Sequence, residues 1–199
     1  MINVVGGSIN FFNESWDLPM NERVFSGDIE RLRQPERIER FEIERVIVLS
    51  LEGIDADNVL DVGTGSALFA EHFCKKGLKV SGIDINPDMI DAAKLHVPQG
   101  EFRVSDAQTI PYPDRTFDLV FLGCLLHEVD SYVETLREAK RVCCKRVCVL
   151  EWRYEKQEFG PPLEHRLKTD KVISLVKQAG FKNIETIQLT DLVLYRLGI

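Results

Sequence analysis

The chain has 199 residues, enough for one α/β domain with a substantial core and too few for a separate substrate domain. A formal net charge of −7 excludes a surface built to wrap a phosphate backbone, so no nucleic-acid partner is expected, and no apolar run reaches membrane-spanning length. Five cysteines, with Cys143, Cys144 and Cys148 gathered around one predicted strand, argue against a disulfide framework and for reduced thiols, and no basic leader precedes an apolar core, so a soluble cytoplasmic protein is expected.

In chain order, the aromatic segment from Phe11 to Trp16 reads as a lid, a plug for a sheet edge or a contact with a second subunit, which makes a homodimer the assembly to test. Ile38, Phe41, Ile43, Val46, Ile47 and Leu49, spaced among Glu and Arg, predict one amphipathic helix from Gln34 to Leu51, opened by Pro35. Strand and helix then alternate: strand 58–62, helix 66–76, strand 79–83, helix 87–95, strands 101–104 and 117–122, helix 132–142, strand 146–152. This rhythm predicts a parallel sheet with helices on both faces. A charged, proline-containing loop runs from Arg153 to Lys168, long enough to carry function. Helix 170–179 and two strands, 182–188 and 191–197, close the chain as an antiparallel hairpin at the sheet edge. One domain is expected, with residues 1–52 as N-terminal lid and helix and 53–199 as core.

The most informative stretch is Val59 to Ala70, an apolar strand running through Asp61, Gly63, Thr64 and Gly65 into a helix. The glycines permit positive φ and leave no Cβ between backbone and ligand, which suits a nucleotide-like group. A dinucleotide fingerprint needs glycine at the sixth position from Gly63, where Leu68 stands, and a phosphate-binding loop needs a lysine that is missing. Asp84 ends the second strand about twenty residues further on, where an acid accepts hydrogen bonds from ribose hydroxyls. No Cys-x-x-Cys or helical His-x-x-x-His pair appears, so no metal site is expected.

Asp61, Gly63 and Gly65 resemble motif I of the class I S-adenosylmethionine-dependent methyltransferases, Asp/Glu-x-Gly-x-Gly-x-Gly, with Ala67 in place of the last glycine. Val104-Ser105-Asp106-Ala107-Gln108 resembles the family's third ligand segment, and Pro111-Tyr112 through Phe117-Asp118-Leu119-Val120 its P-F-x-x-x-x-F-D-x-V segment, with Tyr112 where Phe is common. The resemblance covers roughly residues 59–199 and points to the type 11 branch that contains the ubiquinone and menaquinone biosynthesis methyltransferases. It implies a Rossmann-like, seven-stranded, mostly parallel sheet, S-adenosyl-L-methionine as cofactor and S-adenosyl-L-homocysteine as product. The implied cofactor contacts are Asp61, Gly63, Thr64, Gly65, Asp84, Ile85, Met89, Asp106, Ala107 and Leu122.

Ligands of open α/β sheets sit at the carboxyl ends of the strands, so the fourth strand brings Cys124 and His127 to the site. The family often has His here, and an imidazole can take a proton near neutral pH, making His127 the candidate base. Cys124 reads as a small buried thiol. In the loop after the fifth strand, Arg166 is placed to clamp an anionic acceptor and His165 to serve as a second base, with Trp16 as a further acceptor contact. Methyl transfer is in-line displacement, in which alignment is worth ~7–11 kcal/mol, so no catalytic triad is required. The strand-four segment Leu122-Gly123-Cys124-Leu125 lacks the Asp/Asn-Pro-Pro-Tyr/Phe of nucleic-acid amino methyltransferases, which leaves a small-molecule acceptor. The rival readings are a non-catalytic protein or partner subunit that binds the donor or its product, and a nicotinamide-dependent oxidoreductase, disfavoured by Leu68 and the terminal hairpin.

Overall fold

The computed structural model describes residues 29–199. After a 3-10 turn at Ile29–Arg33 come α1 (Pro35–Arg40), α2 (Ile43–Leu51), β1 (Asn58–Val62), α3 (Leu68–Lys75), β2 (Lys79–Asp84), α4 (Pro87–His96), β3 (Glu101–Val104) and β4 (Phe117–Gly123). Then follow α5 (Tyr132–Val142), β5 (Cys143–Trp152), a 3-10 turn at Leu163–His165, α6 (Thr169–Gln178), β6 (Asn183–Gln188) and β7 (Leu192–Gly198). Seven strands form one sheet in the order β3-β2-β1-β4-β5-β7-β6. Strands β1 to β5 run parallel, and β7 inserts antiparallel between β5 and β6, the terminal hairpin the two adjacent strand patterns demanded. The order reverses between β1 and β4, which opens a crevice at their carboxyl ends.

Alternation along the strands divides the core into two layers. Val59, Leu119, Phe121, Cys148 and Leu150 join the layer with α2, α3 and α4, whereas Leu60, Val62, Val120, Leu122, Val147 and Val149 join the layer with α5 and α6. The period-two geometry of a strand sends successive residues to opposite faces, and a sheet covered on both is apolar on both.

The first helix departs from expectation. It breaks into α1 and α2 at Phe41 and Glu42, and Glu42 adopts a left-handed conformation with φ 47°. The break turns Phe41 into the core, where its ring lies 6.0 Å from that of Phe69 and meets Trp152 edge-on at 5.5 Å. Glu42 fixes it by accepting hydrogen bonds from Thr190 N–H at 2.7 Å and from Arg45 at 2.6 Å. Helix α3 starts at Leu68 rather than Ser66, because Ala67 is held left-handed at φ 61°. Strand β5 starts at Cys143, three residues before its expected start at Arg146, because Cys143 already pairs with Phe117.

Candidate functional site

The turn from β1 to α3 carries three successive positive φ angles at alternate residues: Gly63 at 69°, Gly65 at 52° and Ala67 at 61°. The Gly63 and Thr64 N–H groups donate to the Ile83 carbonyl at 2.8 and 2.9 Å, which pins the turn across the end of β2. The positive φ favours glycine at position 63, and a Cβ there would stand 2.7 Å from the end of the Leu125 side chain, which would have to move aside.

Two carboxylates organise this turn. Asp61 is 1% exposed, and its Oδ2 accepts from the Thr64 hydroxyl at 2.8 Å. Burial raises its pKa from 3.8 to about 7, against the hydrogen bonds from Thr64 and the Ala70 main chain and with help from the charge of Asp84. Asp84 accepts from Gly65 N–H on Oδ2 and from Asn86 N–H on Oδ1, both at 2.9 Å. Its pKa is raised by burial, opposed by hydrogen bonds from the Asn86, Gly65 and Ile85 main chain. Asn86 caps α4 by accepting from Asp88 N–H, which leaves Asp84 to face the turn.

Residues 29–33 lie over this structure. Leu32 Cδ1 is 3.8 Å from where a Gly65 Cβ would be, and Arg33 donates to the Ser66 carbonyl at 2.8 Å while pairing with Glu71. Asp106 stands exposed after β3, its Oδ1 accepting from Gln108 N–H at 2.8 Å, with Ala107 half-buried beside it. Ile85 and Val104, the neighbouring apolar side chains at the ends of β2 and β3, are 57% and 54% exposed. Met89 and Leu122 are buried, at 2% and 0% exposure, Leu122 within the α5–α6 core layer.

At the ends of β4 and β5, His127 is 2% exposed and its Nδ1 lies 2.8 Å from Glu151 Oε2. The Cys124 N–H donates to the Leu150 carbonyl at 2.8 Å, continuing the β4–β5 ladder by one residue into a left-handed conformation at φ 55°. Burial, with the charges of Glu151 and Glu128, pushes the Cys124 thiol well above its usual pKa, so it stays protonated and is no nucleophile. Glu151 falls near the end of the strand expected at residues 146–152. Its meeting with His127 depends on the adjacency of β4 and β5, for which the sole sequence signal is a charged residue in an apolar run.

Arg166, expected as a clamp for an anionic acceptor, is bound into its own loop in the structure. It is 5% exposed and donates to the carbonyls of Pro161 (2.8 Å), Arg153 (3.1 Å), Glu155 (3.0 Å) and Phe159 and to the Gln157 side chain, with its guanidinium 5.3 Å from the Trp152 ring centroid. Carbonyls that turn toward the inside of a loop need an internal donor, and Arg166 supplies it and ties the loop together. His165, half-buried, ends the 3-10 turn one residue before it. Trp16 and the Phe11–Trp16 segment lie outside the described residues. Among the described residues no helix is long and apolar enough to cross a membrane.

Comparison with known proteins agrees with this geometry. Residues 60–148 match the model of a methyltransferase domain. Demethylmenaquinone methyltransferase of Thermotoga maritima is 32% identical over 133 residues, 66% of this chain and 55% of that protein. Ajmaline N-methyltransferase of Rauvolfia serpentina is 33% identical over 112 residues, 52% of this chain and 38% of that one. The chain thus spans about half or less of the length of these curated relatives. The crystal structure of an S-adenosylmethionine-dependent methyltransferase from Aquifex aeolicus superposes with a TM-score of 0.78 at 28% identity, covering 86% of this chain and 96% of that one. With the sheet order, the reversed hairpin and the glycine turn facing Asp84, these similarities establish that the chain belongs to the class I S-adenosylmethionine-dependent methyltransferase family.

Proposed function

We propose that the protein transfers a methyl group from S-adenosylmethionine to a small-molecule acceptor held at the carboxyl ends of β4 and β5. The observation that carries this reading is the bond from Gly65 N–H to Asp84 Oδ2, which sets a half-buried acid against a glycine turn at the point where the strand order reverses.

The residues present fit the donor. Gly63, Thr64 and Gly65 give close backbone approach for its amino-acid part, with the Asp61 carboxylate behind the turn. Asp84 is placed for the ribose hydroxyls, Ile85 and Val104 offer apolar faces to the adenine, and Asp106 with Ala107 would meet its polar edge. When bound, the sulfonium supplies a methyl carbon already activated for displacement, and the protein's share is alignment and exclusion of water. His127 is the group to accept an acceptor's proton. The small-molecule acceptor is supported by the acceptors named for the menaquinone and ajmaline relatives and by the acidic charge balance. One domain serves both substrates in this reading.

Calorimetric titration of S-adenosylhomocysteine into the whole protein, with Asp84→Ala and NAD as controls, tests the donor site. Micromolar binding lost in the variant is the expected result, and turnover on a panel of hydroxyl, thiol and amine acceptors then follows. Binding without turnover on any acceptor would favour the non-catalytic binding protein, and NAD binding would overturn the donor assignment.

A further inference from the structure

His127 is enclosed by two carboxylates of unequal exposure. Glu151, 1% exposed, accepts the His127 main-chain N–H on Oε1 at 3.1 Å, holds the ring Nδ1 at 2.8 Å with Oε2, and also accepts Trp152 N–H on Oε2 at 3.3 Å. One carboxylate thereby fixes both the backbone and the ring of the same residue. An ionised carboxylate only accepts hydrogen bonds, so in the neutral ring Nδ1 carries the proton and Nε2 is the basic nitrogen. Nε2 lies 3.6 Å from Oε1 of Glu128, whose side chain is 40% exposed. Among the described residues, the nearby Cys124 thiol is pushed up by burial and by Glu151, and the Tyr195 phenol is raised by burial with Glu151 adding to it. Arg37 and Arg166 lie near enough to act on Cys124 in the opposite sense.

We infer that Glu151 is the positioning residue of His127, and that the acceptor is a nucleophile arriving with a dissociable proton, such as a hydroxyl, a thiol or an acidic C–H. This rests on the assignment of His127 as base under the proposed function. In the step it implies, the acceptor atom forms its bond to the methyl carbon as the sulfur–carbon bond breaks. The electron pair of that bond returns to sulfur, and the acceptor's proton passes to Nε2. The imidazolium formed is then balanced by Glu151, the role a buried carboxylate plays behind a catalytic imidazole in other enzymes. A tertiary amine has no proton to give and would leave this arrangement without a use.

The test is nitrogen NMR of the imidazole rings in the whole protein, with His127→Gln identifying the signal among the four histidines. The neutral wild-type ring is expected as the Nδ1–H form. Glu151→Gln, nearly isosteric and still an acceptor, should keep that form while lowering the ring's titration midpoint by about 1–3 units, the effect of removing an opposite charge in contact. Glu151→Leu should release the tautomer. An Nε2–H ring in the wild-type protein, or a midpoint unmoved in Glu151→Gln, overturns the inference, and the first of these needs no variant to fold. Calorimetry with S-adenosylhomocysteine on the same samples separates the two readings. A wild-type protein that binds none sinks the methyltransferase reading whatever the ring does, whereas equal binding in wild type and Glu151→Gln with an unmoved ring sinks the positioning role alone. Turnover confined to tertiary amines on the acceptor panel would overturn the acceptor class.

Discussion

Ala67 carries backbone strain inside the glycine turn: it is fully buried at φ 61° and ψ 33°, where a Cβ is crowded by its own carbonyl. Glycine escapes that cost of roughly 1–2 kcal/mol but gives back part of it through a freer unfolded chain, so Ala67→Gly should stabilise by ~0.5–1 kcal/mol. Thermal unfolding should show a rise of about 1–4 °C; a lower midpoint would mean that the buried methyl outweighs the strain. Asp61 gives a pH signature of unusual sign. Its folded pKa of about 7 stands above the ordinary 3.8, so the native state holds a proton that the unfolded chain has released. Its ionisation therefore costs stability fully above pH 7, and the cost is relieved as pH falls from about 7 toward 4. Asp61→Asn, which can still accept from Thr64, should be more stable than wild type at pH 8 by at most about 4 kcal/mol, and the advantage should shrink toward pH 5. Urea unfolding at the two pH values checks it, and equal differences at both would refute it. Asp61, Gly63, Gly65 and Asp84 were legible in the sequence because turn conformation and strand-end position are local properties. Glu151 was not, since its partner is 24 residues away and is reached only through strand order.

At the scale of elements, the break between α1 and α2 is set by packing rather than by propensity. Nothing in Ile38 to Leu49 signals an interruption: the apolar spacing continues through it, and Glu42 is an ordinary helix former. What decides is the aromatic cluster, in which Phe41 bridges Phe69 of α3 and Trp152 of β5. Phe41→Ala should cost ~3–5 kcal/mol, as truncation of a buried aromatic does, and should release α1 from the sheet. Hydrogen exchange would show it as lost protection in residues 35–42, with β1 and β4 retained. The loop of residues 153–168 tells the same lesson from the other side. Its charges and length read as a loop able to carry function, and Arg166 spends its guanidinium on the loop's own carbonyls. Arg166→Lys keeps the charge but loses the planar fork, so the loop should become sensitive to proteases while the cofactor affinity holds.

Over the whole molecule, the proposed function draws its donor contacts from the ends of β1, β2 and β3 and its acceptor contacts from β4 and β5, two groups that meet at the reversal of strand order. That topology was readable in outline, because alternating strands and helices fix a parallel sheet and two adjacent terminal strands fix a hairpin. The insertion of β7 between β5 and β6 was not, since no local pattern distinguishes an edge strand from an inserted one. The division has a thermodynamic consequence. A ligand that binds only the folded state adds RT ln(1 + [L]/Kd), about 2.7 kcal/mol at a hundredfold excess over Kd, which for a domain of this size is roughly 5–11 °C in Tm. S-adenosylhomocysteine should produce that shift in wild type and in Glu151→Gln, whose altered carboxyl lies on the acceptor side. Asp84→Ala should lose it, because the acid that faces Gly65 belongs to the donor side. A shift abolished by Glu151→Gln as well would mean that the two groups of strands respond as one site.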